Sequence, residues 1–107
     1  MAETGRTVVI TGASSGFGAA AVRAFADRGD RVWGTMRDAD GRNAPKKAAL
    51  EAQSGRIAIA EMDVTSDASV AEGFARILAE GPVDILINNA GIMYIGMTEA
   101  YSIAQAQ

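Results

Sequence analysis

The chain of 107 residues contains no cysteine and no histidine. Without cysteine there is neither a disulfide framework nor a thiolate metal site, and without histidine the commonest general base and metal ligand is missing. No apolar run approaches the roughly 20 residues that span a bilayer, and the N-terminus lacks the charged-then-apolar layout of a signal peptide. These absences predict a cytoplasmic protein with no membrane partner and no metal site.

Basic residues are also few. Ten Lys and Arg stand against 13 Asp and Glu, which gives a net charge of −3 and a pI near 4.8. A nucleic-acid binder carries a basic footprint, so no nucleic-acid partner is expected. A hydrophobic content of 49% and a mean hydropathy of +0.07 are typical of a soluble globular domain. The length is that of one domain, small for an enzyme with separate cofactor and substrate regions.

Short apolar runs alternate with amphipathic stretches along the chain. The first run, "RTVVIT", is apolar at consecutive positions, as in a strand that is buried on both faces. The pattern predicts strands at 6–11, 31–36, 56–63 and 83–89. It predicts helices at 16–28, from Pro45 to 53, and from an N-cap at Ser66 to the turn at Gly81.

This β-α-β-α-β-α-β order predicts an α/β fold with a doubly wound parallel sheet and three flanking helices. The expected strand order is 3-2-1-4, which is one nucleotide-binding half of a Rossmann fold and one strand more. Ligands of such sheets bind at the carboxyl ends of the strands, beside strands one and four here. In the first helix, which Gly29 should end, five apolar residues repeat at helical spacing: Phe17, Ala20, Ala21, Ala24 and Phe25. In the third, Val70, Phe74, Ile77 and Leu78 form one apolar face.

A glycine-rich turn, "TGASSGFG", follows the first strand and opens the first helix. Gly12 permits a tight turn, Gly16 lets backbone approach a ligand, and Gly18 allows close packing of the helix. The helix N-terminus offers unpaired N–H groups to an anion, and Ser14 and Ser15 can add hydroxyl donors. No Gly-Lys-Ser/Thr follows, so this is not a P-loop. The plainer alternative is a glycine-rich turn with no ligand.

The G-x-x-x-G-x-G spacing of this turn resembles that of the short-chain dehydrogenase/reductase family. "DVT" at 63–65 and "NNAG" at 88–91 resemble that family's adenine-pocket and strand-four segments, in the same order. The resemblance implies a nicotinamide dinucleotide, with Phe17 near its nicotinamide end. It further implies Asp63 and Val64 beside the adenine, and Asn89, Ala90 and Gly91 on the ribose side.

Plainer readings of two of these segments stay open. Asp63 can simply cap the helix that follows it. Asn88 and Asn89 can tie loops together through side-chain hydrogen bonds rather than contact a cofactor.

The end of the second strand decides which cofactor is expected. An NAD site places Asp or Glu there for the ribose 2′-hydroxyl, and an NADP site places Arg for the 2′-phosphate. Here Met36 stands at the acidic position and Arg37 follows it, which favours NADP over NAD. Against this, Ser15 occupies a position that is basic in some NADP-preferring members. The other basic residues of the loop are Arg42, Lys46 and Lys47, and a solvated surface is the plainer reading for them.

The family resemblance implies a catalytic Ser, a Tyr with a Lys four residues later, and an assisting Asn. Tyr94 is followed at that spacing by Thr98, and Tyr101 by Gln105. No catalytic residue is therefore assigned, and whether the chain is an enzyme stays open.

A capping box at Ser102 and Gln105 announces a helix just before the chain stops. We therefore expect 1–107 to be a single, partial dinucleotide-binding domain, the C-terminally truncated N-terminal part of an NADP-dependent oxidoreductase. A bare apolar fourth strand would then favour self-association or a missing C-terminal half. The alternatives are a non-catalytic NADP-binding module or small homo-oligomer, and a remnant whose cofactor site is unused.

Overall fold

The computed structural model describes residues 6–90, which form a parallel sheet flanked by helices. The sheet order is β3-β2-β1-β4, and every strand pair is parallel. The predicted fold class and strand order are thereby confirmed. In chain order the elements are β1 (Thr7–Ile10), α1 (Gly16–Asp27), β2 (Arg31–Met36), α2 (Ala44–Glu51), β3 (Ile57–Glu61), α3 (Asp67–Ala79) and β4 (Ile85–Ile87).

The strand bounds agree with the sequence pattern at β2 and are shorter elsewhere. Predicted strand residues such as Thr11, Met62 and Asp63 lie beyond the carboxyl ends of β1 and β3. The N–H groups of Thr11 and Met62 still donate to the carbonyls of Ile87 in β4 and Met36 in β2. Beyond them the Thr11 hydroxyl donates to Asn88 Oδ1, and the Asp63 N–H donates to Ser69 Oγ of α3.

Two apolar layers enclose the sheet. Val8, Val9 and Ile10 of β1 are fully buried, which confirms the prediction of a strand covered on both faces. Helices α1 and α2 pack on one face, where Val22 and Leu50 join the core. Helix α3 packs on the other face beside Val9, Trp33 and Met62. None of the helices between residues 6 and 90 is long and apolar enough to cross a membrane.

The ends of α1 and α3 follow the sequence signals. Gly29 has a φ of +96° and donates to the Ala26 carbonyl, which ends α1 as predicted. The Ser66 hydroxyl accepts from the Ser69 N–H and caps α3. The predicted face of α3 is also confirmed, with Val70, Phe74 and Ile77 buried and Leu78 half-buried.

The apolar repeat of α1 only partly faces the core. Ala21 and Phe25 are half-buried and pack against the core, whereas Phe17, Ala20 and Ala24 are exposed and the buried residues of the helix are Gly18, Val22 and Ala26. Alanine is tolerated on either side of a helix, so this alanine-rich segment does not determine its own rotation. The sheet determines it, because Gly34 of β2 leaves space for the Val22 side chain: a Cβ at Gly34 would lie 3.3 Å from Val22 Cγ2.

Candidate functional site

A cleft of about 260 Å³ opens at the carboxyl edge of the sheet. Residues that follow all four strands line it, as expected for a doubly wound sheet. Six of the lining residues were predicted site residues, and Met36, Met62 and Thr65 flank predicted ones at strand ends. The lining consists of Gly12, Ser14, Met36, Arg37, Met62, Asp63, Val64, Thr65 and Ala90.

Two glycines of the turn are needed by the fold. Gly12 has a φ of +71°, and a Cβ there would lie 3.1 Å from Asn89 Nδ2. A Cβ on Gly18 would overlap the Gly12 carbonyl oxygen and lie 2.7 Å from the same Asn89 nitrogen. The tight turn predicted at Gly12 is therefore confirmed. The close packing at Gly18 is against the turn itself.

Gly16 has no such internal reason to lack a side chain. A Cβ at this position would meet nothing within 4 Å, and its backbone is helical without a positive φ. No described residue accepts a hydrogen bond from the N–H groups of Gly16 and Phe17. The helix thus presents open space together with two donors that have no acceptor within residues 6–90, which is the arrangement that an anion requires.

The hydroxyl of Ser15 is already engaged within the protein. It donates to the Gly12 carbonyl at 3.0 Å and accepts from the Gly18 N–H at 3.0 Å, which makes Ser15 the N-cap of α1. To donate to a ligand, as the sequence predicts, the Ser15 hydroxyl would have to give up its hydrogen bond to the Gly12 carbonyl. Ser14 lines the cleft, and its carbonyl accepts from Lys46 Nζ at 3.2 Å.

The two asparagines after β4 fasten the turn to the sheet. Asn89 Nδ2 donates to the Gly12 carbonyl at 3.1 Å and to Ser15 Oγ at 3.2 Å. Asn88 Oδ1 accepts from Thr11 Oγ1 at 3.3 Å. The loop-tying role left open for these residues is therefore present. Ala90 lines the cleft, whereas Gly91 lies outside the described residues.

Asp63 forms a turn of its own rather than capping α3, because Ser66 is the N-cap. Its Oδ1 accepts from the Thr65 hydroxyl at 2.7 Å and from the Thr65 N–H at 3.0 Å. These two bonds, followed by the charge of Arg37, hold the pKa of the Asp63 carboxyl below its ordinary 3.8. The carboxylate is therefore ionised at neutral pH, and no described residue bonds its Oδ2.

The lowered pKa of Asp63 predicts a pH dependence of stability. A carboxyl with a depressed folded-state pKa stabilises the fold above its unfolded pKa, and this contribution is lost as pH falls through the folded value. We expect the difference in urea midpoint between the wild type and Asp63→Asn to be constant from about pH 7 to about pH 5 and to shrink at lower pH. A difference that already changes near neutral pH would contradict this assignment.

Arg37 is the cation of the cleft. It is exposed and has no ion pair within residues 6–90, whereas Arg42 of the same loop pairs with Asp38 and Lys47 of α2 pairs with Asp40. Met36, at the position that is acidic in NAD sites, is buried and also lines the cleft. Among the described residues, the cleft thus has a guanidinium without an ion pair, and no carboxylate stands at the end of β2.

Phe17 projects into solvent from the first turn of α1. Its side chain is 76% exposed, and it is the only large hydrophobic residue of the described part with this exposure. It does not line the cleft. Its expected position at the nicotinamide end of a cofactor stays a prediction.

The sequence matches a family model described as short chain dehydrogenase over residues 6–107. Retinol dehydrogenase 8 of Bos taurus is 41% identical over 110 residues, which cover all of this chain and 35% of that protein. A probable oxidoreductase of Streptomyces antibioticus is 43% identical over 91 residues, which cover 84% of this chain and 30% of that protein. The chain therefore spans about a third of the length of these relatives.

Solved structures give the same picture. An NADPH-bound carbonyl reductase from chicken fatty liver superposes with a TM-score of 0.72 at 29% identity, covering 94% of this chain and 44% of that one. A blue fluorescent protein from a metagenomic library, in complex with NADPH, gives a TM-score of 0.73 at 30% identity. That match covers 95% of this chain and 51% of the other.

Proposed function

The chain belongs to the short-chain dehydrogenase family, and from that premise we propose that it binds NADP(H) at the carboxyl edge of its sheet. The parent activity would be hydride transfer between NADP(H) and a carbonyl or alcohol substrate. The NADPH-bound states of two similar structures support the cofactor class.

The observation that carries the proposal is the open helix end at Gly16. Gly16 is neither strained nor crowded, and it opens α1, where no described residue accepts from its N–H group or from that of Phe17. The open space at this helix end would admit a cofactor phosphate against these two N–H groups. The residues present fit a dinucleotide: these N–H groups would hold its pyrophosphate, and Asp63 Oδ2 and Val64 would flank its adenine. When bound, the nicotinamide ring supplies the hydride chemistry.

The preference for NADP over NAD rests on Arg37 and Met36. A 2′-phosphate needs a cation, and Arg37 is exposed, unpaired within the described residues and on the cleft wall. An NAD site needs a carboxylate at the end of β2, where this chain has the apolar Met36. Asp63 is close enough for the charge of Arg37 to lower its pKa, but the two residues form no salt bridge within residues 6–90, so the guanidinium keeps its donors for a ligand.

Replacing Arg37 tests the cofactor preference. We expect Arg37→Ala to weaken binding of NADP⁺ about tenfold to a hundredfold, because hydrogen bonds to a charged group contribute about 1.5–3 kcal/mol. Binding of NAD⁺ should stay within about twofold, since NAD⁺ lacks the phosphate that the guanidinium contacts. Isothermal titration calorimetry with both cofactors measures the two affinities.

Arg42→Ala is the matched control. Arg42 belongs to the same loop and carries the same charge, but it is paired with Asp38 at 3.5 Å. If Arg42→Ala weakens NADP⁺ binding as much as Arg37→Ala, the effect is general electrostatics and the assignment of Arg37 is wrong. A wild-type chain that binds NAD⁺ as tightly as NADP⁺ would also overturn it.

A non-catalytic NADP-binding module is the second candidate. Carbonyl-dependent consumption of NADPH by the pure chain, followed by absorbance, separates an enzyme from a binder.

Self-association is a further proposal. It is supported by β4, which pairs with β1 on one side and whose residues Ile85, Leu86 and Ile87 are half-buried.

A further inference from the structure

Glu61, the last residue of β3, holds the loop that carries Arg37. Its Oε2 accepts from the Asp38 N–H at 3.0 Å, and its Oε1 accepts from the Ala39 N–H at 2.8 Å. Glu61 is paired in register with Met36 of β2, so its side chain reaches the two peptide groups that follow Arg37. Both carboxylate oxygens are thus bonded to consecutive backbone N–H groups.

The loop beyond Arg37 is closed tightly around this contact. Asp38 has a φ of +51°, which makes it the one non-glycine residue with a positive φ between residues 6 and 90. Its carbonyl accepts from the N–H groups of Gly41 and Asn43. Asn43 Nδ2 in turn donates to the Arg37 carbonyl at 2.6 Å. Arg37 is therefore bracketed by β2 on one side and by this turn on the other.

We propose that Glu61 is a positioning residue for cofactor selection: by holding Asp38 and Ala39 in this turn, it directs Arg37 into the cleft toward the 2′-phosphate. The inference rests on the proposed NADP(H) site. A positive φ costs backbone energy in a non-glycine residue, less in Asp than in most others, so contacts that favour it stabilise the turn. Two hydrogen bonds to a carboxylate are strong enough to enforce it. Without them the turn relaxes and Arg37 loses its fixed direction.

The same contacts explain how an acidic residue is tolerated beside a phosphate site. Glu61 lies next to Met36, close to where an NAD site would place its carboxylate. Both of its oxygens are turned to the loop N–H groups, and it does not line the cleft. The Glu61 carboxylate therefore accepts hydrogen bonds from the loop backbone and does not line the cleft.

The sign of the change in affinity for the 2′-phosphate distinguishes a positioning role of Glu61 from a purely electrostatic one. Removal of a negative charge near a phosphate site should by itself strengthen the binding of a dianionic group. Loss of the fixed position of Arg37 should instead weaken the binding of that group. The test compares 2′,5′-ADP with 5′-AMP, which lacks the 2′-phosphate, by calorimetry on the full 107-residue chain.

We expect Glu61→Ala to lower the ratio of 2′,5′-ADP to 5′-AMP affinity about tenfold, as for the loss of one charge-assisted contact. The affinity for 5′-AMP should stay within about twofold, since Asp63 and Val64 are untouched. Glu61→Gln retains one acceptor oxygen, so it should recover about half of the lost preference on a logarithmic scale. Glu72→Ala removes an exposed glutamate of α3 and should leave the ratio unchanged.

Two results would overturn different claims. If the wild type prefers 2′,5′-ADP and both Glu61 variants keep or raise that preference, Glu61 has no positioning role. If the wild type binds both nucleotides equally, the proposed NADP preference fails and this inference fails with it. Glu61→Gln keeps the test decisive should Glu61→Ala not fold, because it preserves the size of the side chain and one of its two hydrogen bonds.

Discussion

Gly16→Ala is expected to weaken NADP(H) binding about a hundredfold or more while leaving the fold intact. A methyl group at residue 16 would fill the open space at the start of α1 and hold a phosphate away from the N–H groups of Gly16 and Phe17. Two hydrogen bonds to a charged phosphate contribute about 1.5–3 kcal/mol each, so their loss exceeds a factor of a hundred.

Stability should not fall in this variant. The new Cβ meets no protein atom within 4 Å, and the backbone needs no positive φ. Replacing glycine by alanine at a compatible position stabilises by about 0.4–1 kcal/mol through the unfolded state. We therefore expect an unchanged or slightly higher free energy of unfolding in urea. A protein that loses both binding and stability would show that Gly16 serves the fold after all.

Gly55→Ala is the matched control for Gly16→Ala. A Cβ at Gly55 also meets nothing within 4 Å, but this residue lies in the turn before β3, at the opposite edge of the sheet. The Gly55→Ala variant should bind NADP⁺ with wild-type affinity. If calorimetry finds that Gly16→Ala binds as tightly as this control, the helix end does not hold a phosphate and the proposed site is misplaced.

Gly18→Ala is expected to lower the free energy of unfolding by about 3 kcal/mol, the upper end of the range for an overpacked site. Its Cβ would overlap the Gly12 carbonyl oxygen and crowd the Asn89 amide at 2.7 Å. A backbone carbonyl cannot rotate away as a side chain can. The turn would have to open, which also breaks the bonds from Asn89 to Gly12 and Ser15.

Gly73→Ala provides the comparison for this second variant. A Cβ at Gly73 would lie 2.6 Å from Met62 Cε, the far end of a flexible side chain, and 3.2 Å from the Glu61 carbonyl. Alanine is also favoured over glycine in a helix interior by about 0.8–1.0 kcal/mol. Its urea midpoint should therefore stay near the wild-type value. Equal destabilisation of the two variants would mean that the Gly12 carbonyl is free to move.

The sequence alone predicted the features that are encoded by neighbouring residues. The continuous apolar run of β1, the cap at Ser66, the end of α1 at Gly29 and the turn at Gly12 each need only a few adjacent side chains. Strand order also followed, because alternating strands and helices allow few arrangements of a parallel sheet. The carboxyl edge then placed Gly12, Arg37 and Asp63 in one cleft.

Only the tertiary structure decided which contacts the side chains around the cleft make. The rotation of α1, the engagement of Ser15 as a cap and the hold of Glu61 on Asp38 depend on contacts between residues of different elements. Glu61 and Asp38 are 23 positions apart in the sequence, and the sequence alone does not show that the two residues are close in space. Periodicity and capping report local conformation, whereas the direction of a hydrogen bond is known only once both partners have been placed in space.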